Sequence, residues 1–275
     1  MSRNEVVGHA EALTSIPTPL PATLLLSGPE GVGKRHVARL LGRASGARGL
    51  DLQTISSLDK GAARQILSHH ALHPLVSEVR TTVADLSGAS ADSVNVLLKL
   101  LEEPPEYSRL ILHTDTTSPL TLRSRCFAVN FGVLTTEEVL RVLTRLRVEN
   151  PEEAARFSRG RVSVGLAYSK NADSRKETQD LLKAVAARDI PVAEELLAGV
   201  LSKKRSMAEE SDQRPQLVAH LLITSLMHSI ANSQGHILGG IPARVRSEAL
   251  SVLQGSARIQ VRLRSAIYLL LTGRA

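Results

Sequence analysis

The sequence predicts an α/β fold with a mostly parallel sheet around a phosphate-cradling loop, followed by two helical units. Three observations carry this. Short apolar runs alternate with helical stretches through the first half of the chain. The segment Gly28-Pro-Glu-Gly-Val-Gly-Lys34 sits between such a run and a helix. Near residue 133 the texture changes to helical periodicity, which continues to the end.

The β-like runs are Thr23–Ser27, Thr81–Asp85 and Leu110–Thr114, with Ala128–Phe131 as a fourth. Between the second and third, Asp92 to Glu103 carries Val94, Leu97, Leu98 and Leu101 at helical spacing and is stopped by Pro104-Pro105. Strand and helix in repetition imply helices on both faces of the sheet. The stretch Thr135-Thr136-Glu137-Glu138 is a capping-box pattern opening a helix with Val139, Leu143 and Leu146 on one face. Asn150-Pro151-Glu152 reads as the next helix start, with Asn as cap and Pro at the first helical position. A third helical stretch follows Gly160. The remainder is also helical, with one stripe at Val218, Leu222, Leu226 and Ile230 and another at Ile259, Leu263, Ala266, Ile267 and Leu270. The domains predicted are 1–132 (α/β), 133–175 (a small helical unit) and 176–275 (all helical).

Composition narrows the function classes. Hydrophobic residues make up 43% and aromatics 2% of 275 residues, so the core must be aliphatic. The formal net charge of +7 favours polyanionic partners without specifying a fold. The single cysteine, Cys126, excludes an internal disulfide and a cysteine-based zinc site, and points to a reducing, cytoplasmic setting. Leu217 to Ala231 is too short and too polar to span a bilayer, so no membrane partner is expected.

Gly28, Gly31 and Gly33 let the backbone curl so that its N–H groups face phosphate oxygens, with Glu30 and Val32 between them. Lys34 reaches the outer phosphates. The next residue departs from the pattern. Arg35 stands where Ser or Thr supplies a hydroxyl to Mg²⁺, and a guanidinium cannot ligate a cation. Asp85, at the end of the second run, has the place of a Mg²⁺-holding carboxylate. Leu86 follows it, where one large class of ATPases has a water-polarising Glu, and Leu cannot do that work. ATP binding with doubtful Mg²⁺-dependence, and weak or absent hydrolysis, is the expectation. No metal-ligating cluster is expected.

Leu-Glu-Glu-Pro-Pro105, then Thr121-Leu-Arg-Ser-Arg-Cys126, taken with the Gly28–Arg35 loop and Val6-Val-Gly-His9, resembles the AAA+ clamp-loader subunits of bacterial DNA replication. Within that family the look is most like the delta-prime subunit of DNA polymerase III. The likeness runs from about residue 4 to 170 and is looser beyond. It implies an AAA+ α/β domain, a helical lid and a helical collar that assembles subunits into a ring. The partners implied are the other ring subunits, a sliding clamp and the backbone of primer-template DNA. It implies that Arg125 reaches into a neighbour's nucleotide site, that Thr114 is near the position that contacts the outer phosphate, and that Val6 and Val7 lie near the adenine. A lid arginine of the hydrolysing subunits is replaced by Ser163, with Arg161 close by. The four-cysteine zinc insertion of the bacterial subunits is missing. A missing Glu, a missing hydroxyl and a retained Arg125 describe a stator. The rival readings are an ATP-hydrolysing motor subunit and a AAA+ ATPase of recombination or repair.

Other polar groups have plainer readings. Glu102 and Glu103 end a helix. His69, His70 and His73 are solvent-exposed helix residues. Cys126 is a small buried apolar group. Lys203-Lys204-Arg205 is a solvated linker, and Arg258, Arg262 and Arg264 suit neighbouring collar helices or DNA phosphates.

Overall fold

The computed structural model describes residues 6–115, 120–170, 187–202, 242–254 and 259–272, with isolated positions between 176 and 185. Two compact units result, Met1–Glu138 and Val139–Ala275.

The first unit is an α/β sandwich. Its strands are β1 (Thr23–Ser27), β2 (Leu52–Ile55), β3 (Arg80–Asp85), β4 (Ser108–Thr114) and β5 (Phe127–Asn130). They form one sheet in the order β2-β3-β4-β1-β5, parallel throughout. The four expected runs are strands; β2, at the sheet's edge, is additional. The helices are α1 (Ala10–Ser15), α2 (Lys34–Ala44), α3 (Lys60–His70), α4 (Ala91–Glu102) and α5 (Leu120–Arg123).

Alternation along the strands builds two cores. Leu24 and Leu26 of β1, Val83 of β3, Ile111 of β4 and Val129 of β5 face one side, where Val37, Ala38 and Leu41 of α2 cover them. Leu25, Ala84, Leu110 and Leu112 face the other, against Ala63 and Ile66 of α3 and Val94, Leu97 and Leu101 of α4. Buried apolar runs on both faces are what a covered parallel sheet needs.

Some polar residues are buried with them. His70 was read as exposed; it is buried, with Nδ1 2.6 Å from the Ser108 hydroxyl and Nε2 3.0 Å from the Thr82 hydroxyl. His70 lies four residues after Ile66 and seven after Ala63, on the apolar face of α3. His69 is half-buried, and His73 lies beyond the helix end. Asp51 is fully buried and pairs with Arg80 at 3.1 Å. It also accepts the backbone N–H groups of Leu75, Val76 and Ser77 at 2.7–2.8 Å. Burial pushes its carboxyl up, but those donors and the guanidinium outweigh it and hold the group well below the usual range.

The capping box at α6 (Thr136–Arg145) is formed. The Thr135 N–H donates to Glu138 Oε2 at 2.8 Å, and the Glu138 N–H donates to Thr135 Oγ1 at 3.2 Å. The second unit continues with α7 (Pro151–Ser158) and α8 (Val162–Lys170), then α9 (Ile190–Ser202), α10 (Ala243–Gln254) and α11 (Ile259–Thr272). Val139 and Leu143 are fully buried, but Leu146 is exposed, because α6 ends at Arg145. Asn150 precedes α7 in a left-handed conformation and makes no side-chain cap bond, while Pro151 opens the helix as expected. Ala266, Ile267 and Leu270 of α11 are buried. The stripe at Val218–Ile230, the run Leu217–Ala231, Lys203–Arg205 and Arg258 lie outside the described residues. No described helix is long and apolar enough to cross a membrane.

Candidate functional site

All parallel strands present their C-terminal ends on one rim of the sheet, and the Gly28–Lys34 loop occupies that rim after β1. The glycines are needed for their backbone angles. Gly28, Gly31 and Gly33 have φ of 143°, 81° and 105°. At Gly28 space matters too: an added Cβ would lie 2.1 Å from the carbonyl oxygen of Phe131. Val32 is buried beneath the loop and Glu30 is exposed. His9 Nε2 donates to the Val32 carbonyl at 2.9 Å, and its ring meets Phe131 edge-on. Val6 packs against the core on this side, and Val7 is half-buried next to it.

Lys34 opens α2 and is 2% exposed. Its ammonium donates to the Pro29 carbonyl at 2.6 Å and pairs with Asp115 Oδ1 at 2.7 Å. Arg35 is exposed one residue on. Asp85 ends β3; its Oδ1 accepts the Ser87 N–H at 2.8 Å and stands 3.5 Å from His113 Nδ1. Burial pushes the His113 imidazole below its usual value despite Asp85 and Asp115, with Arg35 and Lys34 adding to that effect. The ring is therefore neutral near pH 7, and its contact with Asp85 is not an ion pair. Thr114 is buried at the end of β4. The Leu86 side chain is buried in the core on the α3–α4 face, not turned to the rim.

Arg125 is at the other rim. It lies between α5 and β5, and its carbonyl accepts the hydroxyl of Thr23, the first residue of β1, at 2.8 Å. Its guanidinium Nε donates to Glu102 Oε1 at 2.6 Å, and Nη1 donates to the Thr121 carbonyl at 3.0 Å. Glu102 is thus a helix end, as expected, and also the partner of Arg125. Arg123 is exposed at the end of α5. The structure brings Gly28–Arg35, Asp85 and Thr114 to one rim, and places Arg125 on the opposite one. Sequence reasoning missed Asp115, which directly follows Thr114, and the structural use of His9.

The arrangement can cradle phosphate through the loop backbone and Lys34. It offers no hydroxyl at position 35 and no side chain at position 86 able to activate water. Among the described residues no three His, Cys, Asp or Glu side chains group to hold a metal ion.

Residues 50–135 match a family described as "DNA polymerase III, delta subunit". The DNA polymerase III subunit gamma of Buchnera aphidicola subsp. Acyrthosiphon pisum is 26% identical over 56% of this chain and 52% of its own. The DNA polymerase III subunit tau of Escherichia coli K12 is 26% identical over 66% of this chain and 35% of its own. The chain thus spans about half or less of the length of these curated relatives. Among solved structures, a gamma subunit-related protein from Thermotoga maritima aligns over 91% of this chain and 94% of its own, at 17% identity and a TM-score of 0.49. The sequence matches are to delta, gamma and tau subunits, and none of them is specific to the delta-prime type. By sequence the chain is similar, over part of its length, to DNA polymerase III delta, gamma and tau subunits.

Proposed function

We propose that the chain is a stator of the delta-prime type in a replication clamp loader, donating Arg125 to the nucleotide site of a neighbouring subunit. The observation that carries this reading is the placement of Arg125 and Lys34 at opposite ends of β1. A five-residue strand spans roughly 16 Å, farther than an arginine side chain reaches. Arg125 therefore cannot serve its own loop, whereas a second subunit's nucleotide docked on its rim is open to it. A guanidinium is permanently charged and grips phosphate oxygens with a fork of N–H groups, which suits it to the charge that develops in phosphoryl transfer.

Its own site is read as one that binds ATP without turning it over. The loop backbone and Lys34 would hold the phosphates, with Val6 and Val7 near the adenine and Thr114 near the outer phosphate. ATP supplies only the phosphoryl charge that these groups neutralise. Arg35 in place of a hydroxyl and Leu86 in the core leave the Mg²⁺ and water-activating positions unfilled. We read residues 1–132 as the nucleotide-binding domain, 133–175 as a lid and 176–275 as a collar. Ring subunits, a sliding clamp and the primer-template DNA backbone are the partners, and the cytoplasm is the setting.

The test is the ATPase of the assembled loader. Arg125→Ala in this chain lowers it sharply, while Lys34→Ala leaves it nearly unchanged. Equal damage from both would overturn the stator reading. The complete Gly28–Lys34 loop favours the second reading, a motor subunit; turnover by the purified chain that Lys34→Ala abolishes would establish it.

A further inference from the structure

We infer that Asp115 is a built-in competitor for the outer-phosphate position, and that it sets how tightly the Gly28–Lys34 loop binds polyphosphate. The inference rests on reading that loop as a phosphate site. The Lys34 ammonium is almost completely buried and already holds two acceptors, the Pro29 carbonyl and the Asp115 carboxylate. A buried lysine can neutralise an incoming phosphate only to the extent that nothing else has neutralised it first.

Asp115 is held in this position. Its N–H donates to the Ser87 hydroxyl at 3.1 Å, and the Ser87 N–H in turn donates to Asp85. The turn after β4 is thereby tied to the turn after β3. The Asp115 side chain remains 34% exposed, so the carboxylate that holds Lys34 is open to solvent. Asp85, the carboxylate that the motif singles out, instead bonds Ser87 and borders His113. On this rim the cations Lys34 and Arg35 face three carboxylates, Asp85, Asp115 and, on the loop itself, the exposed Glu30. A polyphosphate therefore meets a rim with no surplus of positive charge and a carboxylate on the ammonium it needs. Two like charges sharing one cation repel strongly at such range.

Isothermal titration of the full chain with inorganic pyrophosphate and inorganic triphosphate, without divalent metal, tests this. Asp115→Asn keeps an oxygen for Lys34 and removes the charge. It should bind pyrophosphate at least about tenfold more tightly than the unaltered chain. Asp115→Ser should do likewise, and adding Lys34→Ala should cancel the gain. A tighter complex is not what mere structural damage produces, and thermal unfolding of each variant confirms that it is folded. If the unaltered chain binds and both Asp115 variants bind equally or more weakly, the inference is wrong and the phosphate-loop reading stands. If no folded form binds either anion, both fall.

Discussion

Arg125 and Glu102, 23 positions apart in the chain, form an ion pair between the start of β5 and the end of α4. Both side chains are partly exposed, at 29% and 47%, so the pair contributes only about 0–1 kcal/mol. It orients the guanidinium yet releases it at little cost. Glu102→Gln should leave the melting temperature of the chain within about 2 °C of its original value. Under the stator reading it should change the ATPase of the assembled loader several-fold. Arg125→Ala should lower that ATPase by about 10³-fold or more. Steady-state phosphate release from reconstituted complexes checks both; an unchanged rate in Arg125→Ala would remove Arg125 from the chemistry.

Gly28 is the glycine of the loop for which no other residue can stand. Its φ of 143° is reserved for glycine, and an alanine methyl would overlap the Phe131 carbonyl. Gly28→Ala should destabilise the first unit by about 1–3 kcal/mol or more. Gly33→Ala, with open space at its Cβ, carries the backbone strain alone and should cost less. Urea unfolding of the two variants side by side gives the comparison.

Stability should depend on pH through His70. Burial, with the charges of His69 and Arg80 adding, holds its imidazole down to about 3, against 6.5 in the unfolded chain. Between those values the unfolded chain takes up a proton that the folded chain refuses. Stability contributed by neutral His70 is therefore complete above 6.5 and is lost as pH falls through that window, by up to about 1.4 kcal/mol per pH unit. His69 and His113 are shifted in the same direction. Urea midpoints at pH 7.5, 6 and 5 should fall steadily, and His70→Asn should flatten the slope by about one proton. A slope identical in the variant would show that His70 titrates normally.

Cys126 should be inert in the folded chain. Burial pushes its thiol up to about 11, outweighing the Thr23 hydrogen bond and the Arg125 charge. At pH 8 about one thiol in a thousand is then ionised. Alkylation by iodoacetamide, followed by mass spectrometry, should be roughly 100-fold slower than in denaturant. Comparable rates would place Cys126 at the surface.

What was legible in the sequence was local. Glycine spacing and an apolar run revealed the loop and β1, and the Thr135–Glu138 reciprocity revealed the start of α6. The strand β2 escaped because an edge strand of three half-buried residues and an exposed one, Leu-Gln-Thr-Ile, carries no strong apolar run. His70 was misread from its polarity, although its position relative to Ala63 and Ile66 marked the buried face. The partners of Lys34 and Arg125 were illegible for a different reason. Asp115 is 81 positions from Lys34, and only the strand order brings the end of β4 beside the end of β1. Motif reading pointed to Asp85, because it follows the sequence pattern and not the side-chain geometry.

The separation of Arg125 from Lys34 along β1 also has a consequence for symmetry. A subunit that gives from one rim and receives at the other meets its neighbours head to tail, through two different surfaces. A two-fold dimer, in which one patch faces its own copy, cannot satisfy such a pair of surfaces. Under the stator reading the assembly is directional, whether it closes into a ring or stops as an open arc. If this chain's own nucleotide makes no demand on a neighbour's arginine, its receiving rim is the natural place for that order to begin.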